Sequence, residues 1–344
     1  MKILDRKIDS SNPPYIIAEL SANHGGSIER AKQTILAAKN AGVDAVKIQS
    51  YTPDTMTIKS DKPDFQISEG LWKGESLYNL YRQAYTPFEW HKELFDYARN
   101  IGVTLFSTPF DETAVDLLEE MNVPAYKIAS FELTDIPLIK YVAKKNKPIL
   151  MSTGLASLEE IEDAVSTVRQ HGNSEILLFH CISSYPAPTE ESHLSNIRFL
   201  AKEFNLNVGL SDHTITNLAS TVAIGLGAVA IEKHFKLDEE ECGPDSSFSL
   251  LPEQLYDLVE TCRNTWLSLG PDEFSRSFVE RPNIIFRRSL YFVKALEKGD
   301  KVTEKDIRRI RPGYGLAPKF YDEVIGKTLS KNVDCGDPVL WNCF

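Results

Sequence analysis

Short runs of β-branched and aliphatic residues alternate with longer stretches of helical periodicity over about the first 265 residues of the chain. The apolar runs are Tyr15–Leu20, Ala45–Gln49, Thr104–Ser107, Ala125–Ser130, Pro148–Ser152, Ile176–Cys181, Asn207–Leu210 and Ala228–Lys233. They are nearly continuous rather than alternating, which suits parallel strands buried on both faces. Between them, Ile28–Ala41 predicts a helix capped by Ser27 and ended by Gly42. Pro87–Ile101 predicts a second, ended by Gly102, and Leu158–His171 a third that opens on the capping signature Ser157-Leu158-Glu159-Glu160. About eight strand–helix units in fewer than 270 residues is the count and length of an α/β (β/α)8 TIM barrel. A doubly wound open sheet is the competing arrangement.

Two segments break this rhythm. Thr52–Thr86 separates the second strand from its helix and is rich in Tyr, Trp, Asp and Lys. It is too long for an ordinary βα loop and predicts a lid or a partner contact. After residue 269 the grammar changes. Residues 270–284 are polar and irregular and read as a linker. Residues 285–344 hold a short strand (SLYFVKAL), tight turns (EKGD, VDCGD) and one-turn helices (TEKDI, PKFYDEVI). The predicted organisation is a barrel over 1–269, a linker over 270–284 and a compact β-rich module over 285–344, near the lower size limit for independent folding.

Composition narrows the function classes. The chain has 344 residues, 42% hydrophobic, 25% charged, with a net charge of −11 and no basic stripe. Nucleic acid is therefore not an expected partner, and an anion must be held by a local basic pocket. No apolar run approaches the roughly 20 residues of a membrane span, and the first residues lack a secretory apolar core. The five cysteines are scattered, with no CxxC pair, so neither a zinc knuckle nor a disulfide framework is indicated. The expected compartment is the cytoplasm.

In a barrel, catalytic groups sit at the C-terminal ends of strands. Polar residues collect there: Glu19, Asn23 and His24; Lys47 and Gln49; Ser107 and Thr108; Lys127, Ser130 and Glu132; Ser152 and Thr153; His180, Ser183, Ser184 and Tyr185; Ser211, Asp212 and His213; Glu232 and His234. Lys47 and Lys127 lie inside apolar runs, where lysine is costly unless paired. With Thr108, Ser130, Ser183 and Ser211 they form a candidate cradle for a phosphate or carboxylate. The competing reading is two structural ion pairs with Glu19 or Glu232. His213 and His234 close successive strands and are candidate ligands of a divalent metal, with positions left for water and substrate. Glu19, Glu132 and Asp245 are carboxylates able to orient a polyol or take a proton. His24 and His180 read equally well as structural histidines, and His91 as a surface or groove residue. Arg311 lies in a Pro/Gly-rich loop of the small module and matters only if that module covers a barrel mouth.

The stretches IIAELSANHGGS, AVKIQSYTPDTM, FSTPFD, AYKIASFE, STG, HCISSYPAP, VGLSDHT and IEKHF resemble the sialic acid synthase family. The C-terminal RSLYFVKALEKGDKVTEKDIRRIRPGYGL resembles the antifreeze-like (SAF) domain carried by these enzymes. The match covers nearly the whole chain in order. Within the family, SANHGGS, YTPDTMT, GLWKGESLYNLYRQAYTPFEWH and GPDSSFSL point to a branch acting on a 6-deoxy, di-N-acetylated sugar. Ile182 stands where members often have Thr, and Leu251-Pro252 where they often have Glu-Pro.

The resemblance implies condensation of phosphoenolpyruvate with an open-chain amino sugar and release of phosphate. It implies that Lys47, Gln49, Thr108, Lys127, Ser130, Ser183 and Ser211 hold substrate, chiefly phosphoenolpyruvate. His213 and His234 would bind a divalent ion, Mn with Mg or Co as alternatives. Glu19, Tyr185 and Asp245 would contact the sugar, and Glu132 would handle a proton. Arg311 would enter the barrel of a second chain in a domain-swapped homodimer. Two other classes remain open on the residues alone: a metal-dependent barrel hydrolase, which lacks its usual H-x-H on the first strand here, and a non-catalytic carbohydrate-binding protein.

Overall fold

The computed structural model describes residues 1–239, 243–271 and 273–344. It divides into two compact units, Met1–Gly270 and Pro271–Phe344.

Eight parallel strands of the first unit close into a barrel: β1 (Tyr15–Glu19), β2 (Ala45–Ser50), β3 (Thr104–Pro109), β4 (Tyr126–Ile128), β5 (Ile149–Ser152), β6 (Ile176–Cys181), β7 (Asn207–Asp212) and β8 (Ala230–His234). β8 closes on β1 with Ala230 opposite Tyr15 and His234 opposite Glu19. A doubly wound sheet would leave two open edges, so the closure excludes it. The helices that alternate with the strands are α1 (Ile28–Asn40), α2 (Phe88–Ile101), α3 (Glu112–Glu120), α4 (Ile136–Ala143), α5 (Leu158–Gln170), α6 (Asn196–Phe204), α7 (Leu218–Gly225) and α8 (Pro252–Leu269), and the insertion after β2 adds helical segments at Pro53–Met56 and Leu77–Ala84. Each alternating helix follows its strand, so all eight strand C-termini open at one mouth.

The local signals act as their chemistry requires. Ser27 accepts the Arg30 N–H at the start of α1. Ser157 and Glu160 satisfy each other's backbone donors at the start of α5. Gly102 ends α2 in the left-handed region at φ 75°. The strands are buried along nearly their whole length because side chains alternate between the barrel lumen and the helix layer. Gly209 on β7 belongs to that packing. A β-carbon there would lie 2.8 Å from both the Phe179 ring and the Ala230 carbonyl oxygen, so its absence lets Phe179 fill the lumen.

Several elements differ from expectation, most by a residue or two at an end. Strand β4 stops at Ile128, because Ser130–Glu132 turns into a 3-10 helix. Strand β7 runs on to Asp212, because Ser211 and Asp212 pair with Glu232 and Lys233 of β8. In the second unit, TEKDI forms no helix. Asp306 accepts both the N–H and the hydroxyl of Thr303 and closes a turn. That unit is built on antiparallel β9 (Ser289–Phe292) and β10 (Ile307–Ile310). Its core includes Leu290, Phe292, Ile307, Val324 and Val339.

Candidate active site

Glu232 of β8 is the centre of the mouth. Its Oε1 accepts from Lys47 of β2 at 2.8 Å, and Lys127 of β4 donates to both of its oxygens at 2.9 Å. The Ser211 hydroxyl of β7 lies 3.4 Å from the same carboxylate. Lys47 also sits 3.3 Å from Glu19 Oε2 on β1. The ion pairs weighed against an anion cradle are thus present, and they converge on one point rather than forming separate structural links. Burial opposes the Glu232 charge, but Lys127 and then Lys47 outweigh it and hold the carboxyl far below its ordinary range. Burial draws Lys127 down to about 8 against the pull of Glu232, so the ammonium persists at neutral pH. Burial pulls Lys47 down too, but Glu19 and Glu232 overcome it and raise it. Glu19 moves the other way: burial raises it to about 7, against Lys47.

A polar chain runs from this cluster along the β1 side. Gln49 donates to Glu19 Oε1 at 2.8 Å and to Ser21 Oγ at 3.0 Å. Ser21 donates to Asp245, whose Oδ2 lies 3.8 Å from His234 Nδ1. Burial raises the Asp245 carboxyl above its ordinary value.

The ring centroids of His213 and His234 are 5.4 Å apart. His213 Nδ1 donates to the Ile182 carbonyl at 2.8 Å, which leaves Nε2 with a lone pair whenever the ring is neutral. His234 Nδ1 is buried and has no hydrogen-bond partner. Burial, His213 and Lys47 together hold His234 well below its ordinary value, so it is neutral. Burial lowers His213 as well, but the Cys181 sulfur 3.8 Å away, the Ile182 carbonyl and Glu232 together raise it. An orphaned, neutral imidazole nitrogen beside a second available one, with a carboxylate close by, suits a divalent cation. Among the described residues, no three His, Cys, Asp or Glu side chains gather as a complete ligand set.

On the β4–β6 side, hydroxyls meet over Gly154. A β-carbon there would lie 2.2 Å from Ser183 Oγ and 2.7 Å from Ser130 Oγ. Glycine therefore lets both serines face the same space. Thr108 Oγ1 and Ser152 Oγ are buried without partners. Glu132 also has an unpartnered buried oxygen, and burial raises its carboxyl to about 7.

An aromatic wall stands beside the imidazoles. Tyr185 lies 4.4 Å from the His213 ring and 5.2 Å from Phe248. Trp72, from the insertion after β2, lies 6.0 Å from Tyr185 and donates its indole N–H to the Pro244 carbonyl at 3.2 Å. The insertion thus reaches the mouth.

Other expectations fare differently. His91 is fully buried, not superficial, because its face of α2 packs on the barrel and its ring bonds Ser50 Oγ at 2.6 Å. His180 bonds the Ser192 carbonyl, and His24 packs edge-on against Trp90. Thr153 donates to the Phe179 carbonyl. Arg311 lies in the second unit and is exposed. Ser21, Gly154 and Cys181 were not singled out from the sequence. A glycine in STG is a visible signal, but the two serines it serves are visible only in three dimensions.

The NeuB family model matches residues 34–273, and the SAF domain model matches residues 287–344. The chain belongs to the NeuB family. It is 44% identical over 323 residues to the pseudaminic acid synthase of Campylobacter jejuni, covering 94% of each chain. It is 43% identical to the pseudaminic acid synthase of Helicobacter pylori, covering 95% of this chain and 96% of that one. Among solved structures, the N-acetylneuraminic acid (sialic acid) synthetase of Leptospira borgpetersenii superposes with a TM-score of 0.74 at 29% identity, covering 83% of this chain and 94% of that one.

Proposed function

We propose that this NeuB-family chain is a pseudaminic acid synthase. It condenses phosphoenolpyruvate with 2,4-diacetamido-2,4,6-trideoxy-L-altrose and water, giving pseudaminic acid and phosphate with cleavage of the enol C–O bond. The observation that carries this reading is the meeting of two ammonium groups, a hydroxyl cluster and two imidazoles at one mouth. Identity of 43–44% with pseudaminic acid synthases over more than nine-tenths of the chain selects the sugar.

Lys47 and Lys127 meet the phosphate and carboxylate of phosphoenolpyruvate, with Thr108, Ser130, Ser183 and Ser211 supplying neutral donors. Gln49, whose amide hydrogens go to Glu19 and Ser21, holds those two groups at the edge of the substrate. Glu232 holds both ammonium groups together at the mouth, which supports a phosphate site beside them. C3 of the enol attacks the sugar aldehyde, and the new alkoxide takes a proton. Glu132 and Glu19, both raised to about 7, are the carboxyls able to hold that proton near neutrality. Water adds at C2 and gives up a proton, and the tetrahedral intermediate collapses with loss of phosphate. The lysines stabilise the charge that the leaving group gathers.

His213 and His234 would hold the divalent ion, manganese by preference, with magnesium or cobalt as substitutes. When bound, such an ion polarises the aldehyde as a Lewis acid. Asp245 and Glu19 orient sugar hydroxyls. Tyr185, Phe248 and Trp72 offer apolar surface to the C6 methyl and the acetyl groups. Arg311 would complete the mouth of a second chain in a domain-swapped homodimer. The reaction belongs in the cytoplasm; among the described residues, no helix is long and apolar enough to cross a membrane.

A substrate panel read by phosphate release tests this reading. Fastest turnover is expected with the 6-deoxy L-altro sugar. Faster turnover of N-acetylmannosamine, or of the legionaminate precursor, would reassign the chain as an N-acetylneuraminate or legionaminate synthase.

A further inference from the structure

Strands β7 and β8 pair as Leu210 with Ile231, Ser211 with Glu232 and Asp212 with Lys233. The ladder stops at that last pair, and the next residues are His213 and His234. Glu232 and Ser211 face the lumen, so Asp212 and Lys233 face the helix layer. Their side chains, each only 1% exposed, meet there at 2.8 Å. Lys233 also donates to the carbonyls of Thr214 at 2.7 Å and Thr216 at 2.9 Å. Asp212 accepts from Ser220 at 2.6 Å and from the N–H and hydroxyl of Thr214 at 2.8 Å each.

The three donors of the ammonium thus find three acceptors, and both oxygens of the carboxylate are engaged. The residues on either side of His213 are fixed to the residue that precedes His234. A buried ion pair adds little net stability over apolar side chains of like volume, so stability alone is a weak reason for its presence. Its bonds go instead to the two backbone segments that carry the imidazoles.

We propose that the Lys233–Asp212 pair is a positioning device, which sets the separation and orientation of His213 and His234 and thereby the affinity of the mouth for a divalent cation. This rests on the reading of those histidines as the metal site. Supporting groups behind ligands commonly change affinity by roughly 10–100-fold.

The test is the double variant Asp212→Leu/Lys233→Met in the full chain, which replaces the pair with apolar side chains and keeps both histidines. Three quantities are measured: the melting temperature without metal, phosphoenolpyruvate affinity without metal, and Mn²⁺ affinity without substrate by electron paramagnetic resonance. His234→Ala is the control that locates the bound ion. The expected result is a roughly 10–100-fold weaker Mn²⁺ affinity with the other two quantities near the parent's. Unchanged Mn²⁺ affinity overturns the inference. Mn²⁺ binding in the parent that is insensitive to His234→Ala overturns the metal-site reading, and the inference with it. If the double variant does not fold, Thr214→Val decides: a severalfold loss of Mn²⁺ affinity supports the device, and no change overturns it.

Discussion

Lys127 donates to both carboxylate oxygens of Glu232 at 2.9 Å, from the strand diametrically opposite across the barrel. Strands β4 and β8 share no ladder, so this pair spans the lumen. It places a fixed negative charge between two ammonium groups that would otherwise repel each other.

Glu232→Gln is therefore expected to destabilise the barrel by about 3 kcal/mol or more, because two buried ammonium groups lose a charged partner. The pH dependence has a definite sign. The parent carboxyl is depressed by Lys127 and Lys47. It contributes stability above the ordinary carboxylate value of 4.5, and that stability is lost as the pH falls below it. Urea unfolding at neutral pH and at progressively lower pH should show a shallower acid loss in the variant. An equally steep loss would detach Glu232 from acid sensitivity.

Glu132 carries the opposite sign. Burial raises its carboxyl from 4.5 to about 7, so the folded state keeps a proton that the unfolded chain releases. Stability then falls as the pH rises from 4.5 towards 7, by up to about 3 kcal/mol. Glu132→Gln should remove that fall in urea titrations. It should also remove any limb near pH 7 from the kcat/KM profile, if the residue carries the proton as proposed.

Gly154→Ala places a methyl group against Ser183 and Ser130. Displacing those hydroxyls by about 1 Å should lower kcat/KM for phosphoenolpyruvate by about a hundredfold, with little loss of fold stability. Steady-state kinetics with either substrate varied would check this. A change confined to the sugar KM would move the serines to the other subsite.

Trp72→Ala removes the part of the aromatic wall that comes from the insertion. The expected effect is roughly a tenfold or greater rise in the sugar KM, with phosphoenolpyruvate binding unchanged, as loss of an aromatic surface that the bound sugar would cover implies. The penalty should be larger for the 6-deoxy sugar than for N-acetylmannosamine. Equal penalties would remove Trp72 from discrimination.

The barrel was legible because strands buried on both faces leave continuous apolar runs, and because Ser27, Ser157 and Gly102 punctuate the helices by local chemistry. The lysines stood out for the same reason: Lys47 and Lys127 interrupt apolar runs at a cost the sequence displays. What depended on closure was not legible. The Lys127–Glu232 contact joins residues 105 apart, and the Ser21–Asp245 bond joins residues 224 apart. Neither residue type fixes its partner until the strand order is known. His91 was misplaced because helical spacing identifies a face without saying that the face lies against the barrel. TEKDI suits a single helical turn by composition, and only the fold shows that Asp306 caps Thr303 in a turn instead.

The most direct measurement is a crystal structure with Mn²⁺ and phosphoenolpyruvate bound, with anomalous data collected at the manganese edge. The account predicts an anomalous peak bridging His213 and His234, and the phosphate within hydrogen-bond reach of Lys47 or Lys127. A manganese peak remote from both imidazoles, or a phosphate bound away from both lysines, would contradict it.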